Sequence, residues 1–187
     1  MPLSHETITF DVVDCKVYPL TADSVGASPT YGAAVDVPGI QAVSLDMNIV
    51  SQELKGDATI IDKRSKLESF KCTLKHAKTS LDVLAKLIGG TVVDAGSTPN
   101  QTATWSLNGG TSFPYAKIAW RIEDVDTGIG NCLVTLYKAK ITAGKLMDQQ
   151  TDGYGQPTYD VDAIQPLFAS TPLIAVTLYE TDGVLPA

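Results

Sequence analysis

Between Gly39 and Gly90 the chain carries its most constraining pattern: Val43, Leu45, Met47 and Ile49 recur at every second position, with Ser44, Asp46 and Asn48 between them. Consecutive side chains of an extended chain point to opposite sides, so this alternation specifies a strand with one apolar and one polar face. The stretch GIQAVSLDMNIVSQELK reads as that strand, Lys55-Gly56-Asp57 as a tight turn, ATIIDKR as a second strand and KLESFKCTLKHA as a third. In the third, Phe70, Cys72 and Leu74 alternate with Ser69, Lys71, Thr73 and Lys75, which gives a cationic outer face. The period then changes. Leu81, Leu84, Leu87 and Ile88 fall at helical spacing behind a capping Thr79 or Ser80, and Gly89-Gly90 provides the left-handed stop.

The same signals place strands over Ile8 to Leu20, Tyr115 to Val125, Cys132 to Thr142 and Leu173 to Tyr179, and short ones at Val92-Val93 and Thr102 to Leu107. The Asp126 to Asn131 link has the Gly and Asn of a hairpin loop. Two stretches read as long loops. Residues 21–38 are rich in Ala, Gly, Ser, Thr and Pro, and residues 143–170 are turn-rich; loops of that length inside compact domains tend to be functional. The expectation is a single, mainly β domain over residues 1–187 with one short helix.

The 187 residues carry a net charge of −7, which argues against a nucleic-acid binder. Its distribution is uneven: Lys and Arg against Asp and Glu number 1 to 7 in residues 1–54, 8 to 4 in 55–90, 4 to 4 in 91–142 and 1 to 6 in 143–187. Acidic ends and a basic middle suit either a solvated mixture of charges or a head-to-tail interface between copies. Cys15, Cys72 and Cys132 are far apart, odd in number and set in strand-like runs, as expected of buried thiols in a reducing compartment. No apolar run approaches membrane-spanning length and MPLSHETITFD lacks the pattern of a secretory leader, so a soluble protein made in the cytoplasm is expected, and the Asn100-Gln101-Thr102 sequon is set aside.

Nothing assembles into a catalytic constellation, and no enzyme activity, cofactor or metal is expected. His5 and His76 are the only histidines, too few for a multi-histidine metal site. A calcium loop starting at Asp124 would need ligands where Gly128 and Thr135 stand, so Asp124/Asp126 and Asp160/Asp162 are read as hairpin-turn and surface loop acids. Phosphate-binding and nucleophile-elbow motifs are absent. Lys71 with Lys75, Lys117 with Arg121, and Lys138 with Lys140 share strand faces without interleaved aromatic residues, which suits cross-strand ladders better than a stacking platform for single strands.

The order of these parts resembles the major tail tube proteins of long-tailed bacteriophages. The resemblance rests on VSLDMNIVSQELKGDATIIDKRSKLESFKCTLKHAKTSLDVLAKLIGG and on PYAKIAWRIEDVDTGIGNCLVTLYKAKIT, and spans roughly Val35 to Tyr179. It implies a β-barrel or β-sandwich of tail-tube type with a flanking helix. It also implies hexameric rings joined by sheet continuation and stacked into a hollow tube, other tail proteins at the tube ends, and viral DNA passing through the lumen without specific binding. The place of such a protein is the virion tail, with no membrane partner.

On that reading Ser44, Asp46, Asn48, Gln52, Thr59 and Asp62 of the Gly39 to Arg64 hairpin are candidates to line the lumen, where carboxylates and amides would let the duplex pass without sticking. Tyr31, Tyr154, Tyr159 and Leu167, on the two loops, are candidates for contacts between rings. Three other readings remain open: a carbohydrate-binding β-sandwich using Trp105, Trp120 and the Tyr154 to Tyr159 loop, the tube of a contractile tail or secretion system, and a hydrolase built on scattered carboxylates.

Overall fold

The structure, a computed structural model, describes residues 6, 8–57, 59–124, 130–149, 151–181 and 183–186; His5 and most of the Asp126 to Asn131 link lie outside the described residues. The chain is mainly β. Strands run over Thr9–Ser24 (β1), Ala27–Tyr31 (β2), Val35–Asp36 (β3), Ile40–Gly56 (β4), Thr59–His76 (β5), Thr91–Ala95 (β6), Thr102–Ser106 (β7), Ala116–Asp124 (β8), Cys132–Lys145 (β9), Thr158–Ala163 (β10) and Ile174–Leu178 (β11). A short helix, Leu81–Leu87 (α1), follows β5.

One antiparallel sheet has the order β2-β1-β8-β9-β10-β5-β4, with β11 beside β9 and β3 beside β1, while β6 and β7 form a separate hairpin. Contacts between β1 and β4 bring distant parts of the strand order together around one core. That core takes alternate residues from each central strand: Cys15 and Val17, Cys72 and Leu74, Ile118 and Trp120, Leu136, and Tyr159 and Val161. Because strand side chains alternate, the same strands present Tyr18, Ala119 and Leu133 to the opposite face, where Leu185 covers them. The tail is held there by Tyr18 Oη donating to the Pro186 carbonyl (2.8 Å) and by reciprocal hydrogen bonds between the Asn131 amide and the Gly183 backbone (2.8 Å each).

The helix begins where the capping residues predict. Ser80 Oγ accepts from the Val83 N–H, and the chain leaves through Gly89 (φ 93°) and Gly90 (φ 89°). Val83, Leu84 and Leu87 are its buried residues. The predicted stripe of Leu81, Leu84, Leu87 and Ile88 omits Val83, which lies one turn before Leu87 on the same face and is buried with it. Cys15, Cys72 and Cys132 are all buried. Burial pushes the Cys72 thiol up to about 12 and raises Cys15 as well, so neither supplies a thiolate at neutral pH.

Three expectations need correction. The two expected strands merge into one, β5 (Thr59–His76), because Ser65 and Lys66 stay paired with β4 despite breaking the apolar pattern. Residues 21–38 are a paired hairpin rather than a loop: β1 continues to Ser24, turns, and returns as β2, with Thr21 and Thr30 hydroxyls 2.9 Å apart. Small polar residues lack bulk, but their backbone bonds as well as any other. Within 143–170, β9 runs on to Lys145 and β10 occupies the middle of the sheet, with Tyr159, Val161 and Ala163 inward and Asp160 and Asp162 outward.

Candidate assembly surface on the long hairpin

The β4–β5 hairpin is the longest pairing in the molecule, running from Ile40 opposite His76 to Gly56 opposite Thr59, where Asp57 turns the chain at φ 45°. Its base belongs to the sheet, since β10 pairs with β5 from Lys75 to Phe70. Beyond Phe70 the two strands have only each other among the described residues.

Register places all six predicted lumen residues on one side of this ribbon. Ser44, Asp46, Asn48 and Gln52 occupy even positions of β4 and oppose Thr73, Lys71, Ser69 and Arg64, while Asp62 and Thr59 oppose Leu54 and Gly56, also even. The register shift after Asn48 puts Asp62 on that side, where counting along β5 alone would have misplaced it, and the second shift, after Leu54, restores the original parity so that Thr59 falls there too. Asp160 and Asp162 of β10 join the same face, opposite Thr73 and Lys71, with the Thr73 hydroxyl donating to Asp160 (2.7 Å).

The charge of this face differs from expectation. Lys75, Lys71, Lys66 and Arg64 of β5 stand among Asp46, Asp62, Asp160 and Asp162, so the surface is a balanced cross-strand lattice rather than an acidic and amide one. Arg64 Nε meets Asp62 at 3.0 Å, and Asn48 Nδ2 reaches Glu68 and Ser69 at 3.2 Å each. On the other side of the ribbon, Lys63 Nζ and Glu53 pair at 3.1 Å.

Along its outer half the ribbon leaves large apolar side chains in water on both faces: Met47 (66 % exposed), Leu54 (61 %), Ile61 (67 %), and with them Ile49, Ile60 and Leu67. Sequence reasoning missed this. The available signal was apolar residues at both parities, as in Ile49-Val50 and Ile60-Ile61, which a half-buried strand does not need.

The four predicted ring-contact residues separate. Tyr154 (95 % exposed) and Leu167 (52 % exposed) are surface residues. Tyr159 is not: it points into the core beside His76, ring centroids 5.2 Å apart, and burial drives its hydroxyl up to about 12. Inward parity on β10 is the reason. Tyr31 is half-buried and spends its hydroxyl on the Tyr137 carbonyl (2.8 Å), so its contact is internal. Leu167 is positioned by a buried carboxylate: Asp23 accepts from the Leu167 N–H (3.0 Å) and from Lys138 Nζ (2.7 Å). Burial alone would raise the Asp23 pKa, but these hydrogen bonds and the ammonium charge bring it below the ordinary value.

Lysines and aromatic rings do meet, across strands rather than along one. Lys117 Nζ lies 3.8 Å from the Tyr18 ring centre and 4.7 Å from that of Tyr31, and Lys138 and Lys140 flank Tyr115. Trp120 is in the core, and Trp105 is half-buried with Nε1 donating to the Gly89 carbonyl (2.9 Å), so neither indole forms an open platform for a sugar. His76 is buried in place of the solvated or interfacial position expected, with Nδ1–H donating to the Lys78 carbonyl (2.6 Å). Among the described residues no group of three or more His, Cys, Asp or Glu is placed to hold a metal, and no helix is long and apolar enough to cross a membrane. The sequence matches no protein-family model and no curated protein.

Proposed function

We propose that this chain is a non-enzymatic structural subunit whose copies join side by side into rings and stack into a hollow tube, as in the tails of long-tailed bacteriophages. One observation carries the reading: a ribbon that is an extension of the main sheet ends in open strand edges and exposed Met47, Leu54 and Ile61. Unpaired edges and apolar side chains of this kind are a liability in a lone molecule and are covered when neighbours complete the sheet. Among the described residues β4 has no partner on its outer edge, and in a ring it would receive one from the adjacent copy.

The polar side of the ribbon supplies the lumen in this reading. At its base Asp46, Asp160 and Asp162 stand among Lys71 and Lys75 and neutralise them across strands, so DNA phosphates meet neither a strongly attractive wall nor a uniformly repulsive one. Exposed Tyr154 and Leu167 remain the contacts proposed between stacked rings. Electron microscopy of the purified protein over a concentration series tests the proposal. Rings of six or hollow filaments are expected; monodisperse single molecules at every concentration would refute it.

A further inference from the structure

Along β9, the strand beside it changes identity. β10 pairs with it up to Ala163 opposite Ala139, residues 164–173 make an excursion, and β11 resumes the same side at Ile174 opposite Leu136. β5, the other neighbour of β10, continues past Phe70 without pairing to β11. A cleft of about 880 Å³ is left between β5 and the 165–173 excursion, with Val50, Leu67 and Leu173 supplying apolar surface and Arg64 and Lys66 supplying charge. Glu68 also borders it, but accepts from Asn48 Nδ2. The cleft is the unfilled continuation of a strand position.

The outer end of β1 has the opposite character. Ile8 and Phe10 (78 % exposed) stand in solvent next to exposed Asp11, and from Thr9 to Asp14 β1 is paired on the β8 side alone among the described residues, β3 joining it at Lys16 and Val17. This end is an extended, apolar and acidic segment with a free edge. We infer that the β1 segment Ile8 to Asp11 of one copy enters the cleft between β5 and the 165–173 segment of the next. There Phe10 packs against Leu67 and Leu173, and Asp11 meets Arg64 and Lys66. The contact is head-to-tail, since the two surfaces differ, and it accounts for the acidic amino-terminal and basic middle portions of the chain. It rests on the assembly reading above.

The test mixes two single variants, Phe10→Cys and Leu67→Cys, under mild oxidation at a concentration where the unmodified protein assembles. The native cysteines are buried, so background linkage is low. A disulfide-linked dimer is expected from the mixture and not from either variant alone. In parallel, Arg64→Glu with Lys66→Glu should raise the concentration needed for assembly about tenfold or more, and Asp11→Lys in the same chain should restore part of it. Near-UV circular dichroism and thermal melting confirm that each variant is folded. Rings or tubes that form without the mixed disulfide, and regardless of the charge reversal, overturn this inference and leave the tube reading standing. Molecules that stay monomeric under all conditions overturn both.

Discussion

The two halves of the main sheet solve the same problem differently. In the inner half, β1, β8, β9 and β10 bury alternate residues against α1 and one another, leaving Ile118, Leu136 and Val17 with no solvent contact. In the outer half, β4 and β5 begin with the same alternation at Val43 and Leu45 but carry it past the edge of the core, so Met47 and Ile49 extend an apolar face left exposed among the described residues. Identical local patterning therefore gives folding energy in one place and an unsatisfied surface in the other. The distinction is set by how far a strand outruns its neighbours.

The largest effect expected from this contrast is on stability. Leu136→Ala should lower the unfolding free energy by about 3 kcal/mol in urea titration, because a fully enclosed side chain leaves both lost transfer energy and a cavity. Leu54→Ala or Ile61→Ala should change monomer stability by about 0.5 kcal/mol or less, yet impede assembly measured by sedimentation. Equal destabilisation at both kinds of site would erase the comparison.

Lys138→Ala comes next. It strands Asp23, near the end of β1, without its cation and should cost about 3 kcal/mol, as removal of one member of a buried pair does. The effect depends on pH with a definite sign. The folded-state pKa of Asp23 is depressed, so its contribution is complete above the ordinary carboxylate pKa of 3.8 and is lost as pH falls through the folded value. Lys138→Ala should flatten the stability profile on that acid limb.

His76 gives a smaller acid-side effect at higher pH. Burial lowers its pKa from 6.5 although the Lys78 carbonyl opposes the shift, so the unfolded chain binds a proton more readily than the folded one. Stability should therefore decline as pH drops from 6.5 through the lower folded value, and His76→Gln should remove that decline in thermal melts. The smallest change expected is at the helix start: Ser80→Ala removes the cap on Val83 and should cost about 1 kcal/mol or less.

Much of this architecture was legible in the sequence because alternation and capping are local signals. The β4 strand, the Lys55 to Asp57 turn, the Ser80 cap, the two-glycine stop and the β8 and β9 strands were all fixed by residues within a few positions of one another. What escaped depended on distant chain. β2 is stitched by backbone bonds that small residues do not advertise, and β10 hid its Tyr159-Val161-Ala163 parity behind two aspartates that read as loop acids. The face shared by Asp46, Asp62 and Asp160 was only partly visible, because register shifts in β5 decide it and no single-strand pattern reports them.

The central claim is that copies of this chain complete the β4–β5 ribbon around a water-filled channel. A cryo-electron microscopy reconstruction of the assembled protein tests it most directly. The account predicts a ring in which each β4 edge abuts a neighbouring subunit, Asp46 and Lys71 face the bore, and Met47 and Ile49 on the opposite face are covered. A ribbon projecting freely from the outside of the particle, or a solid fibre without a bore, would contradict it.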